Sequence, residues 1–349
     1  MSDVRCPMSR GIPMTSDIGH RTSDKPKNWS GRSHGGSFGH RLVHFVARIG
    51  GPTICYLFII PPTIVLFLRL HERRRICMRY WQRMRPCLGR WGQAVMAFRH
   101  FYSFARMLAD RFLVSAAPGS LRHRSLGFTT LKLGSEHPQG CVMLSAHVGN
   151  WELSGHFMDR YQLGTTHLVM LQAEDPAVAA QVRAAIGAHG LGIIDLKDSF
   201  AASLEIVAAL RKGESCCMLG DRTVGSDHGT IRVPFCGGYA RFPSGPFIAA
   251  AATGAVVVPT FCLKVGWTSY VTFAPAIWPM NLGSRRERKP QLTAAIARWA
   301  RCVETVVRRY PLQWHNFYDF WEDEDAVAPR SDRLSLSRSG VPHVEPRRQ

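Results

Sequence analysis

Short apolar segments alternate with helical segments over the second half of this chain, and this alternation constrains the fold more than any other feature. Five buried strands are predicted, at CVMLSA (141–146), HLVML (167–171), GIIDL (192–196), SCCMLG (215–220) and AVVVPTFC (255–262). Helices are predicted at 150–161, 175–189, 199–212, 243–253 and 290–310. Such alternation is typical of a mostly parallel sheet flanked by helices. The sequence therefore predicts an α/β domain, with SYVTFA (269–274) as an added edge strand.

A run of twenty residues without a charged side chain, from Ile49 to Leu68, precedes this domain. About twenty apolar residues are needed to cross a bilayer core. Arginines flank both ends of the run, and Pro61-Pro62 interrupts backbone hydrogen bonding near its middle. Three interpretations therefore remain open: a kinked helix that spans or is deeply embedded, an interfacial hairpin, and a buried core helix.

The sequence divides into four parts. Residues 1–40 are polar from the start and predict a flexible leader without a cleaved secretory signal. Residues 41–113 hold the apolar run as a membrane anchor, followed over 76–113 by amphipathic helices that either pack on the main domain or lie on a membrane. Residues 114–322 form the predicted α/β domain, and 323–349 a disordered tail.

Charge and cysteine content narrow the class of protein. The 349 residues include 44 Lys and Arg against 25 Asp and Glu, a net charge of +19, which predicts a polyanionic partner. The ten cysteines form no CxxC pair and no zinc-binding spacing, so no metal site is predicted. Several lie in apolar runs, which indicates reduced core thiols and a catalytic domain that faces the cytosol.

The residues with a recognisable chemistry follow the first of these buried strands. His147 comes directly after CVMLSA, and Glu152 lies five positions later, beyond a Gly149-Asn150 turn. Residues five apart on one helix diverge by about 140°, so the two side chains meet only if that turn intervenes. A helix N-terminus nearby favours a neutral imidazole that acts as general base, with Glu152 on the other ring nitrogen. Among 15 His and 25 acidic residues roughly one such spacing is expected by chance, so a structural histidine is the alternative.

Four blocks of sequence together resemble a known family. They are SAHVGNWELSG (145–155), the segment from Gly220-Asp221-Arg222 to PSGP (243–246), AVVVPTFC (255–262) and QWHNFYDFW (313–321). The first is similar to the HX4D/E motif of the lysophospholipid acyltransferase superfamily. The order of the blocks, behind a hydrophobic anchor, most resembles the lipid A biosynthesis lauroyl/myristoyl acyltransferase branch, over roughly residues 40–320.

This resemblance implies a glycerol-phosphate acyltransferase-like fold and transfer of an acyl chain from an acyl thioester to a hydroxyl of a lipid or glycolipid. His147 would deprotonate that hydroxyl, Glu152 would orient His147, and the alkoxide would attack the thioester directly. No cofactor is implied, because acyl carrier protein or coenzyme A brings the acyl chain as a co-substrate. The implied location is a bacterial inner membrane, with the catalytic domain facing the cytoplasm.

Five residues are candidate substrate contacts. Arg222 is a candidate for a substrate phosphate or the developing oxyanion, with a surface ion pair as the alternative. Arg241 precedes a helix start suited to anion binding, and Arg183 lies in a predicted helix. Asn150 is expected to shape the site, and Asp221 follows the predicted strand SCCMLG together with Arg222, at the same sheet edge as His147.

The expected partners are an anionic membrane surface, an acyl carrier protein or coenzyme A thioester, and a lipid acceptor. A nucleic-acid-binding protein would explain the charge, but the sequence shows no helix-turn-helix, zinc finger or RNP-type strand pair. That interpretation also leaves the apolar run unexplained. A metal hydrolase using His147, Glu152 and His156 does not fit, since the spacing is not HExxH. A non-catalytic membrane adaptor of the same fold remains the alternative, and the intact His147/Glu152 pair argues against it.

Overall fold

The computed structural model describes residues 37–158, 161, 163–171, 191–222 and 229–322. Most of the predicted leader (1–36), the predicted helix at 175–189 and the predicted tail from residue 323 lie outside the described residues. Within the described ranges the chain is mixed α/β, and its strands form three sheets.

Four consecutive helices begin the described chain: α1 Ser37–Phe58, α2 Ile60–Arg69, α3 His71–Met84 and α4 Arg90–Ala116. The uncharged run lies in α1 and α2. Pro61 and Pro62 stand in the first turn of α2, where a missing amide donor costs nothing, so they begin a helix. A second interruption lies at Gly51, with φ 60° and ψ −163°. By length and composition, Leu42–Arg69 could cross a membrane.

The remaining elements follow in chain order. The strands are β1 Arg122–Leu126, β2 Cys141–Ser145, β3 Thr166–Met170, β4 Leu191–Asp195, β5 Ser215–Leu219, β6 Thr230–Phe235, β7 Gly238–Pro243, β8 Val256–Pro259, β9 Phe261–Lys264, β10 Ser269–Phe273, β11 Trp278–Pro279 and β12 Trp321–Glu322. The helices are α5 Phe128–Ser135, α6 Trp151–Met158, α7 Ser199–Arg211, α8 Gly245–Thr253 and α9 Arg288–Arg309, and a 3-10 turn spans Pro311–Gln313.

The central sheet has six strands in the order β11-β8-β2-β5-β3-β4. Neighbours pair in parallel from β8 to β4, and β11 pairs antiparallel with β8. The sequence places β2, β3, β4 and β5 to within a residue or two because each contains a short apolar run, although only β2 is buried over most of its length. The predicted strand 255–262 is instead divided, because the chain leaves this sheet after Pro259, which has no amide to donate to a ladder.

Two smaller sheets, which the sequence does not predict, accompany the central sheet. β1, β10 and β9 form one, with β10 in the middle, and β12, β7 and β6 form the other. The prediction of 269–274 as an edge strand is therefore wrong. The strand that pairs with it on one side, β1, has the polar sequence RHRSL. The side chains of β1 alternate between exposed and half-buried, so no apolar pattern predicts this strand.

A buried carboxylate joins the N-terminal helices to the second sheet. Asp110 on α4 is fully buried and pairs with Nζ of Lys264 on β9 at 2.6 Å. It also accepts hydrogen bonds from the hydroxyls of Tyr56 on α1 and Tyr270 on β10. Burial lowers the pKa of Lys264 to about 8, and the Asp110 charge opposes this shift. The cluster fixes α1 against the part of the chain that carries the site.

Candidate active site

Two strand ends of the central sheet bring a histidine and a carboxylate together. β2 and β5 are parallel neighbours, with Ser145 opposite Leu219. Two residues beyond each of these lie His147 and Asp221. Oδ1 of Asp221 is 2.7 Å from Nδ1 of His147, and Oδ2 accepts the backbone amide of His147 at 3.0 Å. Sheet register therefore creates a pair that the 74-residue separation in sequence conceals.

The closing aromatic segment holds this pair from the other side. The indole of Trp314 is fully buried and donates to Oδ2 of Asp221 at 3.1 Å. The amide of His315 donates to the carbonyl of His147 at 2.9 Å. Trp314 also packs edge-on against Phe235 and Phe320, with ring centroids 5.3 and 4.8 Å apart. Both the carboxylate and the histidine backbone are thus fixed by packed groups.

The turn after His147 depends on one glycine. Gly149 has φ +75°, and a Cβ atom there would lie 2.0 Å from the carbonyl oxygen of Cys262. Its amide donates to the carbonyl of Gln313 at 2.8 Å. Only glycine combines this conformation with so close an approach of two backbones. The turn that the sequence predicts is therefore present, and it separates His147 from α6.

Both polar atoms of the Asn150 side chain make contacts within the protein. Its side-chain oxygen accepts the amide of Leu153 at 3.3 Å, which caps the first turn of α6. Its side-chain nitrogen donates to the carbonyl of Met107 on α4 at 3.1 Å. The residue is only 1% exposed, so its amide serves the packing of α6 on α4.

Glu152 contacts an arginine. Its Oε2 lies 2.5 Å from Nε of Arg111 on α4. Burial raises the pKa of Glu152, and the Arg111 charge opposes the shift. The expectation that Glu152 holds the His147 ring is corrected here, because Nδ1 of that ring is bonded to Asp221. The predicted turn at Gly149 is present, so His147 and Glu152 do not lie on one continuous helix. The ring nitrogen that Glu152 was expected to hold is nevertheless bonded to Asp221.

The electrostatics of the pair favour a neutral imidazole beside an ionised carboxylate. Removal from water on its own would raise the pKa of Asp221, but His147, Arg222 and the Trp314 indole hold it at about 2. Burial lowers the pKa of His147; the Asp221 charge opposes this shift and Arg222 adds to it. Because an ionised carboxylate only accepts, Nδ1 must carry the proton, which leaves the lone pair on Nε2 available as a base.

The lowered histidine pKa predicts where activity is lost in acid. We expect the acid limb of kcat/KM for the reaction that uses His147 to have its midpoint below pH 6.5, the ordinary pKa of histidine, because burial lowers the pKa of this ring and only the neutral ring accepts a proton. A pH profile of kcat/KM measures this. An acid limb centred above pH 6.5 would contradict it.

The same profile needs a stability control. Burial also lowers the pKa of His100, to about 4, and that of His315. Below pH 6.5 the unfolded chain binds protons at these two histidines that the folded chain does not bind. The contribution of the neutral histidines to the free energy of unfolding is therefore fully present above this pH and is lost as the pH falls below it. Unfolding followed over the same range separates loss of structure from protonation of His147.

The predicted arginine contacts fall in different places. Arg222 lies beside Asp221; it donates to the carbonyl of His315 at 2.5 Å and its guanidinium stacks over Tyr318. Arg241 lies on β7 of a different sheet and pairs with Glu322 of β12, so the anion it binds in this structure is a carboxylate of the same chain. Arg183 lies outside the described residues.

Sequence reasoning missed the roles of Trp314, His315 and Arg111. Asp221 is a sequence candidate at the same sheet edge as His147, since it follows a predicted strand of the same parallel sheet, but it was expected as a substrate contact and not as the partner of the ring. Trp314 and His315 lie in the aromatic block at 313–321 that supports the resemblance, but neither this block nor any pattern around Arg111 reveals their contacts, because these depend on how separate elements pack. Among the described residues no group of three or more His, Cys, Asp or Glu side chains is placed to hold a metal ion.

Comparison with known proteins identifies the family. The family described as bacterial lipid A biosynthesis acyltransferase matches residues 94–322, about two thirds of the chain and the whole of the site. The chain belongs to this family. The family match confirms the resemblance seen in the four sequence blocks, and its range includes both His147 and Asp221.

A curated relative carries a related description. The phosphatidylinositol mannoside acyltransferase of Mycolicibacterium smegmatis is 25% identical over 187 residues, which cover 52% of this chain and 57% of the relative. The chain thus matches little more than half the length of this relative.

Proposed function

We propose that this protein transfers a fatty acyl chain from an acyl thioester to a hydroxyl group of a glycolipid. The observation that carries the proposal is the bond between Nδ1 of His147 and the buried Asp221, in a chain of an acyltransferase family. The names of the family and of the relative both refer to glycosylated lipids. A hydroxyl of a glycolipid is therefore the acceptor that the comparisons support.

The chemistry follows from the arrangement of the two side chains. Nε2 of His147 accepts the proton of the acceptor hydroxyl as the oxygen attacks the thioester carbonyl. Asp221 stabilises the imidazolium that forms, because its carboxylate is ionised and 2.7 Å from Nδ1. The tetrahedral intermediate then expels the thiolate, which takes up the proton from His147. The products are an ester and a thiol, and no acyl-enzyme is required.

Neighbouring residues would support this reaction without taking part in proton transfer. Arg222 adjoins Asp221 and is the candidate for the developing oxyanion or a substrate phosphate. Glu152, paired with Arg111, is a positioning residue at the start of α6. Of the sequence candidates, Arg241 is left out, because its guanidinium is held by Glu322.

The donor and the location are proposed from charge. An acyl carrier protein is acidic and coenzyme A carries phosphates, and the chain has a net charge of +19 that suits either. The same charge favours the anionic cytoplasmic surface of a bacterial inner membrane, next to which the apolar Leu42–Arg69 segment would lie. We propose that the catalytic domain faces the cytoplasm.

Lipid mass spectrometry tests the proposed function. Total lipids are compared between cells with the gene, cells without it, and cells that carry His147→Asn. We expect one glycolipid to become lighter by one acyl chain when the gene is absent, and His147→Asn to give the same lighter lipid. Identical lipids with and without the gene would contradict acyl transfer. Full restoration by His147→Asn would indicate a non-catalytic role of the same fold.

A further inference from the structure

One side of the apolar segment Leu42–Arg69 is buried against the rest of the protein. The buried residues of α1 and α2 repeat at helical spacing along almost the whole segment; they are Ala47, Cys55, Tyr56, Ile59 and Thr63. This inner side packs on α4. Near its C-terminal end, Phe67 contacts Phe98 and Phe101 of α4, with ring centroids 5.5 and 5.3 Å apart. The segment therefore lies along α4 from end to end.

The helix beneath it cannot follow the segment into a bilayer. Over the stretch that packs on α1 and α2, α4 carries Arg99, Arg106, Asp110 and Arg111. Asp110 is bonded to Tyr56 of α1 and paired with Lys264 of the second sheet. Charged side chains are costly in hydrocarbon, and a spanning orientation would carry these charges and the attached sheet with it. The packing therefore argues against a transmembrane crossing.

The opposite side of the segment is apolar and exposed. We name it the outer face and define it by Phe45, Ile49, Ile54, Leu57, Val65 and Leu68, each between 49 and 71% exposed. Large contiguous apolar surfaces of this kind mark interaction sites. Trp267 is half-exposed and packs edge-on against Tyr56 at 5.1 Å, so an interfacial aromatic from the catalytic part stands beside the segment.

Basic residues lie within the first turn of the outer face and at its C-terminal end. Arg48 and Arg69 are exposed, and three further arginines, Arg73, Arg74 and Arg75, follow in α3. Arginines at both ends fit a helix whose two ends meet the same headgroup layer, whereas a crossing would place one end on the other side of the membrane. This charge selects an anionic lipid surface over a second copy of this basic chain.

We propose that α1 and α2 lie in the plane of an anionic lipid leaflet, with the outer face in its acyl region and the whole described chain on one side of the membrane. This arrangement deepens the proposed function, because a lipid acceptor would reach His147 from the leaflet in which α1 and α2 are embedded. It rests on the proposed function only for the statement that the acceptor is a lipid.

Cysteine labelling from each side of the membrane tests the orientation. Arg48→Cys and Arg69→Cys are made separately in a chain with Cys6→Ser and Cys87→Ser. A second chain with Cys6→Ser alone keeps the exposed Cys87, which serves as the reference for the catalytic side. A membrane-impermeant maleimide is added to right-side-out and to inside-out vesicles. We expect both new cysteines to be labelled from the side that labels Cys87. Labelling of the two from opposite sides, or of neither from that side, would overturn the proposal.

Vesicle binding tests the outer face itself. Leu57→Glu and Leu204→Glu place the same charge at residues that are both 57% exposed, the first on the outer face and the second on α7. We expect Leu57→Glu to weaken sedimentation with phosphatidylethanolamine–phosphatidylglycerol vesicles at least about tenfold and Leu204→Glu to leave it unchanged. Equal binding of the two variants would overturn the proposal, as would a stable dimer that does not sediment with vesicles.

Neither measurement depends on acyl transfer. A failed orientation or binding test would leave the proposed reaction in place, and an inactive protein that passes both tests would leave the in-plane arrangement in place.

Discussion

Asp221→Asn is expected to lower kcat by about 10³–10⁴-fold while the protein remains folded. The asparagine amide can present a donor to Nδ1 of His147, which would move the ring proton to Nε2. The base would then be lost although every atom of the site stays close to its position. Initial rates of acyl transfer from a labelled thioester in detergent micelles measure the effect, and circular dichroism checks the fold.

Glu152→Gln is the matched control for this substitution. It also replaces one carboxylate by an amide, but at a residue that contacts Arg111 and that the structure does not place on the His147 ring. We expect a loss of about tenfold or less, because only a half-exposed ion pair is weakened. If Glu152→Gln were the more damaging of the two, the dyad expected from the sequence motif would be correct and the one described here would be wrong.

Asp110→Ala is expected to lower the free energy of unfolding by about 3–5 kcal/mol. The substitution leaves Nζ of Lys264 buried without its carboxylate, and it removes the acceptor of the Tyr56 and Tyr270 hydroxyls. Since these contacts join α1 to the second sheet, the N-terminal helices should also detach more readily. Urea denaturation in detergent measures the first effect, and limited proteolysis near α1 the second.

A surface ion pair provides the comparison. Arg79 and Asp319 are 2.5 Å apart, but their side chains are 59% and 56% exposed. Asp319→Ala should therefore change the free energy of unfolding by about 1 kcal/mol or less. A similar small change for Asp110→Ala would show that the buried cluster does not hold α1 in place.

The central sheet was largely predictable, and the reason is burial. Strands with both faces covered read as continuous apolar runs, as in CVML (141–144), where all four residues are buried. Strands of the smaller sheets mix exposed, half-buried and buried residues, and their sequences follow no such rule. β1 illustrates this, since RHRSL contains one apolar residue and still pairs in register with β10.

The sequence placed both His147 and Asp221 at one edge of the sheet, but it did not pair them. His147 could be placed from its position after a strand, because functional groups gather at the carboxyl ends of parallel strands. The choice of Glu152 came from spacing along the chain. The contact with Asp221 comes from the register of β2 and β5, which pairs residues 74 positions apart. Spacing in sequence carries no information on which strands are neighbours.

The central claim is that His147 and Asp221 act as one catalytic unit, and a double-mutant cycle on kcat tests it most directly. His147→Asn, Asp221→Asn and the double variant are compared with the unmodified chain under single-turnover conditions. Because Asp221 acts only through the His147 ring, the double variant should be no slower than His147→Asn, within about twofold. If the two losses instead multiply, so that the double variant is slower by the product of both, the residues act independently and the account is contradicted.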